Sequence, residues 1–402
     1  MKMKNATLRY MLINMTYFAV FCGVHAFASV FLLANGFTNT QIGIVLCIAN
    51  VLSVVVQPVI AGIIDKPGPI TNRNVSMVCT CLMLAGSLIL YIGQGNFWLV
   101  GIVYALLYMT QMAYQPLIIA MNFEYQKAGA DIKFGFARGM GSIGFAITSV
   151  ILGQVVAKQG PGIVQIVDAA IMVFALVIIY FFKLPENERA GEDAVKQETA
   201  EENGPKAHNN LLDFTKTYPK FMIFCVGVIL YFFAHNAIND YLIQIITPLG
   251  GTEKQLGYAI FIAAALELPT MACIGFMLKK ISCHNLLRIS GVSFFIKTIV
   301  TLVAVNMIGI YVSELFQLTA YAVLIPAAAY YVEDVMEELD KVKGQAFVNV
   351  AVTLGGVFSS LICGRILDAR GPKAMLTVAA AVCLIGVVIA WFSVERTGQK
   401  QN

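Results

Sequence analysis

An all-α integral membrane protein built as two related six-helix bundles is the fold this sequence predicts. Three observations predict it. The first is composition: of 402 residues, 58% are hydrophobic and only 12% charged, against about 25% charged in soluble domains. A soluble core could not enclose so much apolar surface. The second is segmentation. Apolar runs long enough to cross a bilayer, about 20 residues each, recur along nearly the whole chain. The third is an internal repeat. Residues 141–161 and 352–372 align at an offset of 211 with six identities: Gly144/Gly355, Ser149/Ser360, Ile151/Ile362, Gly153/Gly364, Gly160/Gly371 and Pro161/Pro372. Thr38-x-x-Gln41-x-Gly43 pairs with Thr252-x-x-Gln255-x-Gly257, and Pro116 with Pro326, at nearly the same offset.

Twelve transmembrane helices are expected. The first six lie near 8–34, 40–65, 73–93, 97–122, 135–157 and 162–183. The second six lie near 219–247, 255–278, 285–306, 308–332, 345–367 and 372–394. This gives an N-terminal bundle over 1–183 and a C-terminal bundle over 219–402. Residues 184–218 are rich in Glu, Lys, Asn and Gly and are expected to be a solvated linker. Lysine and arginine concentrate in one set of loops (Lys4, Arg73, Lys127, Lys133, Arg189, Lys279, Lys341 and others) and are sparse in the opposite set. The positive-inside rule then places both termini and the linker in the cytoplasm of a multi-pass cell-membrane protein. The basic start has no small-residue cleavage site after the first apolar run, which therefore reads as a retained helix.

Several functions are disfavoured. A net charge of +4 reflects cytoplasmic loops and gives no nucleic-acid footprint. Nine cysteines, an odd number mostly inside apolar runs, form neither a disulfide framework nor a zinc pattern. No HExxH, Ser/His/Asp set or phosphate-cradling glycine loop is present, so no enzyme, metal or cofactor is expected. Duplicated halves suit a transporter, with a solute site at mid-membrane between the repeats, better than an enzyme or a receptor.

Ionisable residues in apolar spans are costly and mark partners or water-filled cavities. Span 1 carries His25, and the end of span 4 carries Asn122 and Glu124. Arg138 opens span 5 in the glycine-rich run Phe134-Gly135-Phe136-Ala137-Arg138-Gly139-Met140-Gly141. Its fixed fork suits a hydroxylated or anionic solute; the competing reading is a cytoplasmic positive-inside charge. In span 7, His235 and Asn239 are one helical turn apart, as are Asn236, Asp240 and Gln244, which makes polar stripes. Glu267 lies in span 8, Lys297 in span 9, and Glu314, Gln317 and Tyr321 in span 10. Asp240 and Glu314 are placed nearer the outer rim. The competing reading for His25 and the amides is glue between helices, and for Glu267 with Lys297 a structural ion pair. Asn349 occupies the position of Arg138 in the repeat, so the halves differ chemically.

On these residues the chain resembles the major facilitator superfamily over almost its whole length, and within it the lactose permease branch of oligosaccharide:proton symporters. Gln57-Pro58-x3-Gly62-x2-Asp65-Lys66 is similar to the signature loop after span 2, which implies a gating role for Asp65 and Lys66, although Pro67-Gly68-Pro69 interrupts its basic continuation. The run from Phe134 to Gly141 resembles the stretch bearing the family's substrate-binding arginine. The glutamate that usually partners it falls near Ile119 or Ala120, with Glu124 a turn further on. Glu267, in Glu267-Leu268-Pro269, resembles the span 8 glutamate, and Lys297 stands where the family has an arginine. Gln317 and Ala320 replace the histidine and glutamate that couple protons in span 10.

The resemblance implies proton-coupled symport of a sugar or oligosaccharide by alternating access. Arg138, Asn122, Glu124, His235, Asn236, Asn239, Gln317, Tyr321 and Asn349 would bind solute. Glu267, Lys297, Asp240 and Glu124 would serve the proton. The expected partners are the solute, protons and the lipid bilayer, with the monomer as functional unit. A nucleoside:proton symporter, a uniporter and an exporter of another small solute stay open.

Overall fold

The computed structural model describes residues 5–64, 70–183 and 211–395, except the side chains of 211, 212, 271, 272 and 339. Every regular element among them is helical. In the first half these are α1 (Ala6–Phe21), a π-helical turn (Cys22–Ala26), α2 (Ala28–Ala34), α3 (Asn39–Ile64), α4 (Asn72–Ile92), α5 (Phe97–Lys127), α6 (Phe134–Gln159) and α7 (Ile163–Phe181). The second half has α8 (Leu211–Thr217), α9 (Pro219–Asp240), α10 (Leu242–Ile246), α11 (Glu253–Lys280), α12 (Cys283–Val303), α13 (Met307–Leu315), α14 (Tyr321–Val335) and α15 (Lys341–Ser393). Short 3-10 turns lie at Thr247–Leu249, Phe316–Leu318 and Glu338–Asp340.

Ten helical segments among the described residues are long and apolar enough to cross a membrane, or eleven when the bent α11 counts as one span. Pro269 stands inside α11 and supplies no N–H to the ladder. Its two parts, Glu253–Thr270 and Cys273–Lys280, meet at 61°. The longest of the ten, α15, runs through 53 residues and is itself two helices merged across a kink at Gly371. The chain is a multi-pass membrane protein.

The repeat read from the sequence marks the punctuation of the helices. Gly160, with φ 84°, ends α6, and Gly371, with φ 78°, breaks α15. Each precedes a proline, Pro161 in the turn before α7 and Pro372 just after the kink in α15, and left-handed backbone at such a stop favours glycine. Thr38 and Thr252 are both N-caps of capping boxes. The Thr38 N–H donates to Gln41 Oε1 at 2.9 Å while the Gln41 N–H donates to Thr38 Oγ1 at 3.3 Å. The Thr252 N–H donates to Gln255 Oε1 at 3.0 Å, with the reciprocal bond also present. Gly144 lets α6 approach the backbone of Met15, and Gly355 lets α15 approach the Ile229 carbonyl and Phe232.

The residues divide into two compact units. One comprises Met1–Phe37 and Ile48–Pro205; the other comprises Thr38–Cys47 and Lys206–Asn402. In the first unit, the C-terminus of α7 is held by cations, which suit the negative end of a helix. Arg9 donates to the Phe181 carbonyl at 2.8 Å, and Arg73 to those of Ile179 at 2.9 Å and Tyr180 at 2.7 Å. In the second, Asp368 occupies the N-terminus of α3. Its oxygens accept the Asn39 N–H at 3.1 Å and the Thr40 N–H at 2.7 Å, together with both of their side chains. Two of the four orphan donors of that helix end are so satisfied.

The solvated linker expected over 184–218 lies outside the described residues as far as 210. Residues 211–217 are helical instead. Phe214 is fully buried there and stacks on Phe347 at 5.1 Å. Phe214 breaks the otherwise polar composition of the segment and gives this turn something to bury. Asp65 and Lys66, the residues assigned to gating, also lie outside the described residues.

Candidate functional site

In the second unit, three helices and a 3-10 turn bring a largely buried polar centre together. Lys297 on α12 and Glu314 on α13 are each 1% exposed. The Lys297 ammonium donates to Glu314 Oε2 at 2.7 Å and to Gln317 Oε1 at 2.9 Å. The Gln317 amide donates in turn to Glu267 Oε1 at 2.8 Å. The carboxamide is thus acceptor at one end and donor at the other, which fixes its orientation. An ammonium in an apolar core is tolerated only with such partners.

This corrects two expectations. Lys297 does not pair directly with Glu267; Gln317 stands between them, and the salt bridge is with Glu314. Nor is Glu314 at a rim. The regular i, i+3, i+7 stripe expected over 314, 317 and 321 is interrupted, because α13 passes into the 3-10 turn at Phe316–Leu318 before α14 begins. The tighter turn swings Gln317 towards Lys297. Ser290 on α12 donates to the Ala320 carbonyl at 2.7 Å where the helix breaks.

His235 adjoins this centre and feels the Lys297 charge. Its ring lies nearly parallel to Tyr321, 5.4 Å away, and edge-on to Phe294. Its Nε2 is 2.8 Å from Asn239 Nδ2. An amide nitrogen only donates, so Nε2 is the acceptor and the imidazole is neutral. The other stripe of span 7 faces elsewhere. Asn236 donates to the Phe232 carbonyl at 2.9 Å and lies against Gly356. Asp240 accepts from Ser360 at 3.5 Å, and Gln244 donates to Asn39 at 2.9 Å. These three residues tie α9 and α10 to α15 and to residues 38–47. Asn349 is exposed on α15.

In the first unit, α6 starts at Phe134, so Arg138 is in its second turn, half-exposed. Its guanidinium lies 4.1 Å over the Phe18 ring, a cation–π contact. Tyr10 and Tyr17 feel its charge. Among the described residues no carboxylate pairs with it. Glu124, a turn beyond the place where the resemblance puts the arginine's usual glutamate partner, accepts from Asn72 at 2.9 Å. Asn122 is fully buried, and its amide donates to Gln126 Oε1 at 3.3 Å. An aromatic wall continues from Phe18. Phe21 stacks on His25 at 3.8 Å, and His25 meets Tyr108 at 3.8 Å. Tyr17 packs edge-on to Tyr114 at 5.4 Å, and its hydroxyl donates to the Gln111 carbonyl.

Sequence reasoning missed Asp168 on α7. It is fully buried, with both carboxyl oxygens lacking a hydrogen-bond partner among the described residues. An aspartate within the apolar run from Ile163 to Phe181 was the signal that could have found it.

The chain matches the MFS_1 like family over residues 7–378. It is 22% identical to an uncharacterized transporter, YwbF, of Bacillus subtilis (strain 168), covering 82% of this chain and 79% of that protein. It is also 22% identical to a maltose permease of Geobacillus stearothermophilus, covering 89% and 87% respectively. Among solved structures, the nucleoside transporter NupG superposes with a TM-score of 0.78 at 15% identity, over 97% of this chain and 98% of that one; a single-residue variant of it gives 0.79. A transporter fold, transporter relatives and a family match over nearly the whole length agree, and the chain belongs to the MFS_1 like family of major facilitator superfamily transporters.

Proposed function

We propose that this secondary transporter is a proton-coupled symporter of a sugar or oligosaccharide, working by alternating access in the cell membrane. In this reading it has twelve spans, with both termini in the cytoplasm, and acts as a monomer. The observation that carries the proposal is the chain Lys297–Glu314, Lys297–Gln317, Gln317–Glu267, buried at its first three members and half-buried at Glu267. One ammonium touches one carboxylate directly and a second through an amide. A proton gained or lost on the half-buried Glu267 changes the net charge beside the desolvated Lys297–Glu314 pair, where charge is expensive. A solute bound beside it then meets two protonation states with different affinity, which is what coupling requires.

Arg138 over Phe18 supplies a charged fork beside an aromatic wall, an arrangement suited to sugar hydroxyls above and the apolar face of the ring below. Asn122, Glu124, His235, Asn236, Asn239, Gln317, Tyr321 and Asn349 complete the proposed solute-contacting set. Asp240 is a second proton candidate, and Asp65 with Lys66 would serve the gate. The maltose permease relative is consistent with an oligosaccharide. A nucleoside is the second reading, favoured by the parallel ring pairs Phe21–His25 and His235–Tyr321, since a planar base stacks on such faces.

Substrate-induced alkalinisation tests the proposal. Proteoliposomes in unbuffered medium are given maltose, other oligosaccharides or uridine while external pH is recorded. The pH rises with an oligosaccharide and fails to rise with Arg138→Lys, because lysine lacks the fork. A rise with uridine alone selects the nucleoside reading. Labelled solute that equilibrates with no pH change identifies a uniporter. A panel that is never taken up leaves export.

A further inference from the structure

Asp168 has no part in the mechanism proposed above, yet it is among the most deeply buried acids of the protein. It sits on α7, five residues from the start of that helix at Ile163, or about 8 Å along its axis at 1.5 Å per residue. Its carboxyl is pressed onto the backbone of Gly23. A Cβ built on Gly23 would lie 2.3 Å from both Oδ1 and Oδ2, so residue 23 is glycine because the acid occupies that space. Gly23 belongs to the π-helical turn Cys22–Ala26. Such turns are rare and frequently mark functional sites.

The charged groups on the elements around α7 are engaged elsewhere. Arg73 on α4 and Arg9 on α1 hold carbonyls at the far end of α7. Arg138 on α6 lies over Phe18, and Lys158 is exposed at the end of α6. His25 is stacked between Phe21 and Tyr108. The titratable groups that feel the Asp168 charge are Cys22 and Tyr104. The Tyr104 hydroxyl proton is already given to the Val24 carbonyl at 2.8 Å, a carbonyl of the π-helical turn. Gln165, one turn earlier on α7, is 1% exposed and has an unpartnered amide oxygen.

An ionised carboxylate buried without a donor is among the costliest groups a protein can hold, whereas a carboxyl carrying its proton is neutral. We infer that Asp168 is a proton-binding site of the transport cycle, lying in the first unit and separate from the Lys297 centre. In the conformation described here the carboxyl holds a proton taken from water. Releasing it to water regenerates the carboxylate, which then needs a donor, and Tyr104 is the hydroxyl placed to supply one. That exchange costs the Val24 carbonyl, part of the π-helical turn, its tyrosine bond. Proton release from Asp168 is thereby tied to the shape of the first span.

The inference rests on the proposed proton symport, and the test separates the two. Reconstituted wild type and Asp168→Asn are compared for accumulation of labelled maltose and of uridine under an imposed pH gradient. Equilibrium exchange of the same probes, which needs no net proton movement, is measured alongside. A third readout is the infrared carbonyl band of a protonated carboxyl, identified by its shift in heavy water. The expected result is concentrative uptake by wild type that falls to mere equilibration in Asp168→Asn, measurable exchange in both, and loss of one protonated-carboxyl band in the variant. Wild-type uptake that ignores the pH gradient overturns the symport reading and this inference with it. Gradient-driven uptake that persists in Asp168→Asn overturns this inference alone, as does an unchanged infrared band, which also decides the case should the variant lose exchange. Uptake that follows a sodium gradient and is lost in Asp168→Asn assigns the site to sodium and overturns the proton.

Discussion

In the second unit a lysine, two glutamates and an amide hold one another through bonds of 2.7 to 2.9 Å. In the first, Asp168 is just as buried, and among the described residues it has no hydrogen-bond partner at all. The paired charges of the second unit are fixed by one another, so removing one strands the rest. The lone acid of the first unit is fixed by shape, wedged against Gly23, and no ion pair is broken when its charge is removed. The same chemical class of residue is therefore held by bonds in one unit and by shape in the other.

The largest expected effect breaks the paired side of this comparison. Lys297→Met leaves Glu314 buried without its cation and should cost about 3–5 kcal/mol, read as a large fall in melting temperature in detergent. Adding Glu314→Gln should recover most of the loss. Asp168→Asn, with no pair to break, should shift melting far less than Lys297→Met; equal shifts would erase the distinction between the units. Gly23→Ala tests the wedge. Its Cβ would overlap the Asp168 carboxyl and should cost about 1–3 kcal/mol as overpacking. Asp168→Ala in the same chain should relieve that cost, and a variant that melts as wild type would show the contact to be slack. The smallest effect compares the two capping boxes. Thr252→Ala should cost about 1 kcal/mol. Thr38→Ala should cost less, because Asp368 already takes the Asn39 and Thr40 N–H groups. Amide exchange in the first turns of α11 and α3 would read the difference.

Much of the fold was legible because it is written in hydrophobic run length and in residues with few substitutes. The runs located the spans, and the repeat singled out Gly160, Gly371, Thr38 and Thr252, which stand at helix ends. The site was legible only as an inventory. Residue spacing presumes a regular helix, so it could not foresee the 3-10 turn that brings Gln317 between Lys297 and Glu267. Nor could it distinguish Asn236, which lies against Gly356, from His235, which faces Tyr321, one position away on the same helix. Glu314 looked peripheral because nothing local says how deep a helix end is buried. Asp168 was visible as an acid in an apolar run, but its setting depends on a glycine 145 positions earlier in the chain.

The matching stops in the two halves, Gly-Pro after α6 and Gly-Pro within α15, bear on descent. If one ancestral half was copied, the copies have since diverged at most positions, exchanging an arginine for an asparagine at 138 and 349. What they kept is the places where the backbone admits almost no other residue. A polar centre can migrate from one helix to another and still serve, whereas a left-handed turn cannot be moved without rebuilding the helices on either side. In duplicated membrane proteins of this kind, ancestry should therefore be sought in turns and caps, and novelty in the side chains between them.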